Sequence, residues 1–426
     1  MKRRDFLKQA TVTTGALIAG QLVGGCSSPR GAAVKSSAAV NVCKVRKPLA
    51  IAMWDFSWLL RHHRYGEFED WDKVLDGLAE RGYNAIRIDA MPQYVAADAD
   101  GKIIEEFRSV RQNWEPVKWG NYYTMSFRPR EALVEFLGKC NKYGIKVGLA
   151  TWFYNHETAG QGIFTEEGGL LRAWQETLTF LEQNNLLDNV IYVDLLNEYP
   201  FWHGYQCLSK ELDALAGANG FTFDKMGTDI YNLPKTSVFN AAQKRFYNDF
   251  ANDLIIKLKA EFPRLDFFAS FCRQMLLEDI DLSNFAALDY HIWFADSGRI
   301  PGLNELGNLD QSKDNRAIYK EAFAAWQQNR DELIEWMDGN MKKVSDTARK
   351  YGICCGNTEG WGPVHWMDHP DIGWEWTKDA GEICVDLAKK YDNYKFICTS
   401  NFTHPQFRGI WDDIKWHRRL TSKIKA

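Results

Sequence analysis

The sequence predicts an α/β fold, a single (β/α)8 TIM barrel with long βα-loop insertions. From Pro48 onward, short apolar runs of strand-forming residues alternate with longer amphipathic segments, which is typical of successive βα units. Counting these runs gives about eight units in roughly 380 residues, the size of such a barrel with enlarged loops. The first turn, Asp55 to Trp58, contains no glycine, which disfavours a doubly wound sheet with a phosphate-binding loop.

In the first half of the chain, the predicted strands are apolar runs and the predicted helices end at glycines or turn residues. Gly82 and Gly144 each follow an amphipathic stretch, as helix terminators do. The predicted strands are 49–54, 85–89, 146–152 and 190–198, and the predicted helices are 70–81, 130–143 and 166–184. The fourth strand, 190–198, is apolar and β-branched until its last residues, which indicates a parallel strand covered on both faces.

The second half of the chain repeats the alternation. The predicted strands are 266–272, 287–294, 352–359 and 395–400, and the predicted helices are 238–261, 317–351 (one helix or two), 376–391 and 411–420. Polar and aromatic insertions at about 91–127, 199–237 and 295–315 are expected to wall the cleft at the carboxyl ends of the strands.

Composition limits the classes of function. The 426 residues carry a net charge of −4, so no basic surface indicates a nucleic-acid partner. The 17 Trp are typical of sugar-binding clefts, although any one of them is equally expected in the core. The nine Cys include no Cys-x-x-Cys pair, and we predict no metal site and no cofactor. Those in strand-like runs, Cys354 among them, are expected to be small apolar residues, with a disulfide left open.

The N-terminal segment is predicted to be a targeting signal and a tether, and not part of the folded barrel. Residues 1–26 read as an export signal, with Arg3-Arg4 as a twin-arginine motif, an apolar stretch and a lipobox ending at Cys26. Lipidation of Cys26 would anchor an exported protein in the membrane of a bacterial cell envelope; the alternative is an ordinary signal peptide with an incidental cysteine. Residues 27–46 would form a flexible tether and residues 47–426 the barrel.

Two predicted strands end on a glutamate. The fourth ends on Asn197-Glu198 and the seventh on Thr358-Glu359. A lone glutamate at a strand end is more often a cap or an ion-pair partner, but the repetition favours a site because barrel active sites lie at these ends. Two facing carboxylates can hydrolyse a glycosidic bond.

Four short motifs extend this argument. They are 82–88 (GYNAIRI), 196–200 (LNEYP), 290–293 (YHIW) and 358–362 (TEGWG), in this order on strands two, four, six and seven. Together they resemble the retaining β-glycosidase superfamily of (β/α)8 barrels, particularly the cellulase-like families related to glycoside hydrolase family 5. The resemblance implies hydrolysis of a β-linked oligo- or polysaccharide with retention of configuration and without a cofactor.

The resemblance also implies a role for each matching residue. Glu198 matches the general acid/base and Glu359 the nucleophile, which would lie about 5 Å apart. Asn197 matches the residue that binds the sugar 2-hydroxyl, Arg87 the arginine that keeps the nucleophile ionised, and His291 the histidine of strand six.

Two of these assignments have structural alternatives. Arg87 could instead be a buried partner of Asp89 or Asp55. His291 could be a barrel histidine whose hydrogen bonds are satisfied without any role in chemistry.

The sequence departs from the family pattern at three strand ends. Thr151-Trp152-Phe153 stands where strand three often has a histidine, Trp293 replaces a tyrosine, and Asn401-Phe402 replaces the tryptophan of strand eight. The sugar specificity of cellulases is therefore not transferred. By position, the predicted substrate contacts also include Asp55 and a set of strand-end rings, namely Trp54, Trp152, Trp293 and Trp361.

Two other classes of function remain open from the sequence. One is a non-catalytic surface glycan-binding lipoprotein on the same barrel, and the other is a transglycosylase that uses the same residues. A metal pair at His365 and His369 is disfavoured because prolines flank it and it lacks the glutamate of a helical zinc motif.

Overall fold

The computed structural model describes residues 44–98, 100–109, 121, 124–155, 162–217, 220–223, 238–299, 316–362, 368 and 373–426. The predicted signal, Cys26, the tether up to residue 43, and both His365 and His369 lie outside the described residues. Within the described ranges, no helix combines the length and the apolar character needed to cross a bilayer.

Nine parallel strands form one curled sheet, and two further strands form a separate antiparallel hairpin. In chain order the strands are β1 (Leu49–Asp55), β2 (Ala85–Asp89), β3 (Phe107–Ser109), β4 (Met125–Phe127), β5 (Lys146–Ala150), β6 (Val190–Asp194), β7 (Phe267–Phe268), β8 (Phe271–Cys272), β9 (Ala287–His291), β10 (Cys354–Asn357) and β11 (Tyr394–Cys398). The order in the large sheet is β7-β6-β5-β2-β1-β11-β10-β9-β8. This arrangement confirms the predicted TIM-barrel class.

The two ends of this sheet are two pieces of one strand. β7 pairs with β6 and β8 pairs with β9, and only Ala269 and Ser270 separate the pieces along the chain. The barrel closes through this segment, at the place of the predicted strand 266–272. The strand is interrupted because the N–H of Ser270 donates to the Asp194 carboxylate (2.8 Å) instead of joining a strand ladder.

Helices follow the strands around the barrel. They are α1 (Ser57–Leu60), α2 (Trp71–Glu80), α3 (Pro92–Val95), α4 (Pro129–Lys142), α5 (Gly169–Gln183), α6 (Gln206–Leu215), α7 (Ala241–Glu261), α8 (Arg316–Lys350), α9 (Glu375–Lys389), α10 (Arg408–Trp411) and α11 (Ile414–Lys425). Helix α8 has a non-helical residue at Asn329, which explains why its pattern could be interpreted as one helix or two. The β3–β4 hairpin and α6 belong to the long insertions at 91–127 and 199–237.

Local sequence signals set several helix ends. Helix α2 begins where the Asp70 side chain accepts the N–H of Lys73 (3.1 Å), and α7 begins with a reciprocal Asn240–Gln243 capping box. Gly82 follows α2 with φ +82°, in the left-handed region that glycine tolerates best. A Cβ at this position would also lie 2.5 Å from the Thr421 hydroxyl, so the end of α2 packs directly on α11.

One described cysteine forms a disulfide, the alternative that the sequence left open. Cys354 is disulfide-bonded and not a free apolar residue. The remaining described cysteines are free: Cys140, Cys207, Cys272, Cys355, Cys384 and Cys398. Spacing alone could not name Cys354 because a disulfide depends on which two cysteines come close in space.

Candidate active site

Glu198 and Glu359 meet at the carboxyl end of the barrel. Glu198 follows β6 and Glu359 follows β10, and both side chains are almost fully buried. One oxygen of each carboxylate and a ring nitrogen of His291 all lie within 4.8 Å of one another. The strand-end glutamates that the sequence singled out are therefore neighbours across the barrel mouth.

The backbone is unusual at this end of the barrel. Asp55, Phe153 and Glu198, which lie at or just beyond the ends of β1, β5 and β6, have φ values of +31°, +52° and +45°. Left-handed backbone at residues other than glycine costs free energy and is concentrated at functional sites. The protein thus maintains strained backbone where its carboxylates converge.

Arg87 of β2 connects Glu359 to the polar groups of the barrel interior. Its Nη1 donates to Asp55 Oδ1 (2.9 Å) and to Glu359 Oε2 (3.1 Å). Its Nη2 donates to Asp194 Oδ2 (3.3 Å) and to the Asn197 side-chain oxygen. Burial opposes the charge of Arg87, but the surrounding carboxylates outweigh it and raise the pKa of this guanidinium. Arg87 is therefore a permanent cation that contacts Glu359, and it also pairs with Asp55 as the structural alternative predicted.

His291 lies between the two glutamates. Its Nδ1 is 3.0 Å from Glu198 Oε1 and 3.6 Å from Glu359 Oε2, and its Nε2 is 3.6 Å from Asp289 Oδ2. Burial would lower the pKa of His291, but Glu359, Asp289 and Glu198 together raise it to about 10. The ring is consequently an imidazolium at neutral pH that contacts both glutamates.

The pKa of Glu359 depends on more than its contact with Arg87, which the sequence predicted to keep it ionised. Burial and the charge of Glu198 raise the pKa of Glu359, although His291 and Arg87 act in the opposite direction. The sequence names the charged neighbours but not the depth of burial, and burial is the larger effect.

Trp152 lies just beyond β5, at a strand end where the sequence departs from the family pattern. Its indole N–H donates to Asp55 Oδ2 (2.8 Å), and its ring packs against Phe56 and Tyr154. Burial raises the pKa of Asp55, while Arg87 and the Trp152 hydrogen bond lower it. The indole N–H therefore holds Asp55 and is not available to a sugar hydroxyl.

The other strand-end tryptophans are placed differently from one another. Trp54 is buried against Phe68 with its N–H on Thr403 O (3.1 Å), and Trp361 is buried with its N–H on Cys398 O (2.9 Å). Neither ring leaves a face open for stacking, which corrects the expectation of a sugar platform at these two positions. Trp293 is the most exposed of the four, at 9%.

Two aspartates near the site were not predicted. Asp194 of β6 and Asp289 of β9 are fully buried, and Asp194 contacts Arg87 while Asp289 lies beside His291. The sequence signal that could have identified them is an aspartate in a strand that is otherwise mostly apolar. A buried charge of this kind needs polar partners, which indicates a site.

A family model described as sugar-binding cellulase-like matches residues 51–425. The chain belongs to this cellulase-like family. Because the match extends from β1 to the last helix, the family resemblance predicted from the sequence is confirmed. Among curated proteins, no relative of this chain is detectable.

Solved structures show the same fold. A candidate glycoside hydrolase from Parabacteroides distasonis is 29% identical with a TM-score of 0.71, over 89% of this chain and 94% of that chain. The cellulose synthase subunit Z of Clostridioides difficile is 11% identical with a TM-score of 0.51, over 89% and 100% of the two chains. A glycoside hydrolase family 5 subfamily 18 protein from Streptomyces cattleya, solved with GlcNAc, is 9% identical with a TM-score of 0.50, over 89% and 80%. This cellulase-like chain therefore has a glycoside hydrolase fold.

Proposed function

We propose that this cellulase-like protein hydrolyses β-glycosidic bonds of an oligo- or polysaccharide with retention of configuration. The observation that carries the proposal is the short separation of Glu198 and Glu359, whose nearest oxygens lie within 4.8 Å. Retaining enzymes hold their two carboxyl groups about 5–5.5 Å apart, whereas inverting enzymes leave about 6.5–9.5 Å for a water molecule.

In the first step, a carboxylate oxygen of Glu359 attacks the anomeric carbon. The glycosidic C–O bond breaks, and the leaving oxygen takes the proton of Glu198. The productive form of the pair therefore carries one proton, on Glu198. Arg87 favours this form because its guanidinium contacts Glu359 at 3.1 Å, whereas His291 contacts both carboxylates, Glu198 at 3.0 Å and Glu359 at 3.6 Å.

In the second step, a water oxygen attacks the same carbon and the bond to Glu359 breaks. Glu198 accepts the proton of the water and is ready for the next cycle. Asn197 directly precedes Glu198, its side-chain oxygen accepts a hydrogen bond from Arg87, and its Nδ2 is buried without a partner in the described structure. This Nδ2 is suited to bind a substrate hydroxyl as positive charge develops on the ring.

We also propose that the barrel is exported and anchored through a lipid on Cys26. The Cys354 disulfide supports export because disulfides persist in oxidising compartments. The match to the family model begins at residue 51, beyond the segment assigned to signal and tether. Metabolic labelling with palmitate tests the anchor, with label expected on the wild-type protein and absent from Cys26→Ala.

Hydrolysis of a panel of β-glucans, mannans, xylans, galactans and aryl β-glycosides tests the enzymatic proposal, with Glu198→Gln and Glu359→Gln in parallel. We expect at least one substrate to be cleaved and both variants to lose nearly all activity. Wild-type activity in the variants would contradict the site. Binding of a glycan without cleavage would favour the non-catalytic alternative, and sugar transfer in preference to hydrolysis would favour the transglycosylase.

A further inference from the structure

Two buried aspartates bind the next strand of the barrel in the same way. Asp194 accepts the N–H of Ser270 on Oδ1 (2.8 Å) and its hydroxyl on Oδ2 (2.7 Å). Asp289 accepts the N–H of Thr358 on Oδ1 (3.0 Å) and its hydroxyl on Oδ2 (2.6 Å). All four residues are fully buried. We call these pairs the Asp194–Ser270 clamp and the Asp289–Thr358 clamp.

The Asp194–Ser270 clamp leads to Glu198. Because the Ser270 hydroxyl gives its proton to Asp194, its oxygen is free to accept the backbone N–H of Glu198, at 3.0 Å. The Ser270 carbonyl accepts the N–H of the next residue, Tyr199, at 2.8 Å. These two bonds hold the chain on both sides of the Glu198 α-carbon, where the backbone is left-handed.

The Asp289–Thr358 clamp leads to Glu359. Thr358 directly precedes Glu359, and its N–H and hydroxyl are both committed to Asp289. The peptide that carries Glu359 is therefore held against β9. A hydrogen bond from a hydroxyl or amide to a charged carboxylate is short and directional, which suits it to fixing a backbone segment.

We propose that the two clamps are positioning devices that serve different catalytic groups. The Asp194–Ser270 clamp sets the general acid/base Glu198, and the Asp289–Thr358 clamp sets the nucleophile Glu359. This inference rests on the proposed retaining mechanism. It goes beyond it by assigning each clamp to a separate chemical role, which leaving groups of different acidity can distinguish.

Substitutions of Ser270 and Thr358 test the two clamps more specifically than substitutions of the aspartates. Asp194 also contacts Arg87, and Asp289 also contacts His291, so replacing either aspartate would disturb both glutamates. Ser270→Ala and Thr358→Val instead remove one hydroxyl each.

Ser270→Ala is expected to impair proton transfer. Aryl β-glycosides with a 2,4-dinitrophenyl leaving group need no proton, so the burst of dinitrophenol should keep nearly its wild-type rate. 4-Nitrophenyl and methylumbelliferyl glycosides need more assistance and should react roughly 10- to 100-fold more slowly, the range that a small misplacement of a catalytic group produces. Azide, which needs no general base, should accelerate turnover of the dinitrophenyl glycoside.

Thr358→Val is expected to impair nucleophilic attack. Attack of Glu359 on the anomeric carbon is needed whatever the leaving group, so all these glycosides should react roughly 10- to 100-fold more slowly. Azide should not restore the rate. The variants that keep a hydroxyl, Ser270→Thr and Thr358→Ser, should recover most of the activity.

Two buried hydroxyls on helices of the barrel, away from the strand ends that carry the glutamates, provide control substitutions. Ser345 of α8 donates to Asn393 (2.6 Å), and Thr177 of α5 has a buried hydroxyl without a hydrogen-bond partner in the described structure. Ser345→Ala and Thr177→Val remove the same groups from the core and should leave the leaving-group dependence unchanged. A general loss of packing would affect these controls as well.

The outcomes separate the inference from the mechanism on which it rests. If Glu198→Gln and Glu359→Gln are inactive but both hydroxyl variants keep the wild-type leaving-group dependence, the clamp assignment is wrong. If the glutamine variants remain active, the mechanism itself is wrong. If no glycoside is turned over, crystal structures of Ser270→Ala and Thr358→Val test the clamp assignment instead. Displacement of Glu198 alone in Ser270→Ala and of Glu359 alone in Thr358→Val supports the assignment, and unmoved glutamates overturn it.

Discussion

Replacing Arg87 with methionine removes the cation that connects four groups of the site. The guanidinium has no exposed surface and contacts the carboxylates of Asp55, Asp194 and Glu359. Methionine matches much of the aliphatic volume but supplies no charge and no donor. The variant would leave these carboxylates buried and without their shared partner.

The expected loss of folding stability is large because Arg87 and its carboxylate partners are buried. Removing one partner of a buried ion pair typically destabilises a protein by about 3–5 kcal/mol, since the remaining charge stays desolvated. A folded domain is stable by only about 5–15 kcal/mol, so Arg87→Met should remove a substantial part of that stability. Part of the loss is relieved because the carboxylates can bind protons instead.

This relief gives the loss a pH dependence of known sign. Burial already raises the pKa of Asp55, Asp194 and Glu359 in the folded protein, and loss of Arg87 raises it further. An acid whose pKa is raised on folding favours the folded state below its unfolded pKa, and this contribution is lost as pH rises through the folded pKa. The variant should therefore be destabilised more at pH 8 than at pH 5.

Urea unfolding followed by tryptophan fluorescence at pH 5, 6.5 and 8 measures this effect. Arg330→Met is the matched control, since Arg330 pairs with Asp379 at the surface, with side chains 42% and 38% exposed. Such surface pairs are worth about 0–1 kcal/mol. A loss in Arg87→Met that is no larger than in the control, or that does not grow with pH, would refute the reasoning.

Three other substitutions test separate parts of the structure. His291→Gln removes the imidazolium that lowers the pKa of Glu359, so the acid limb of the kcat/KM profile should move to higher pH; an unchanged limb would contradict the contact. Trp152→Phe removes the N–H on buried Asp55 and should lower the free energy of unfolding by about 1–3 kcal/mol in urea titrations, whereas a neutral effect would mean that this bond is not needed. Gly82→Ala should destabilise by more than about 1 kcal/mol because φ is +82° and the new methyl meets α11, and an unchanged thermal midpoint would count against that packing.

The barrel was predictable because its strands are buried on both faces. Such strands are continuous apolar runs, and these runs place β2, β5 and β11 to within a residue or two of their ends. The ends of β6 and β9 were predicted too far along the chain. There the polar residues that follow the strand belong to the site, and their backbone bonds go to side chains or loops.

Side-chain direction was not predictable at the strand ends. Trp54 and Trp361 were expected at the cleft because they end strands, but alternation along a strand sends neighbouring side chains to opposite faces. Both rings point into packed regions, whereas Trp152 reaches Asp55. A single sequence does not fix the exact residue at which a strand ends. An error of one residue in the register reverses the predicted direction of a side chain.

The aspartates of the clamps were also missed. Asp194 is the last residue of β6 and Asp289 lies inside β9, where the sequence shows a polar residue but not its partner. Their partners, Ser270 and Thr358, lie on the next strand of the barrel and are distant in sequence. Only the closed barrel brings each aspartate and its partner together. The Asp194–Ser270 contact also separates β7 from β8.

The anomeric configuration of the first product tests the central claim most directly. Proton NMR at the start of the reaction, on whichever β-glycoside the panel shows to be cleaved, distinguishes the two anomers before they interconvert. The short separation of Glu198 and Glu359 predicts that the β-anomer appears first. Initial release of the α-anomer would show direct attack by water and would contradict the covalent mechanism.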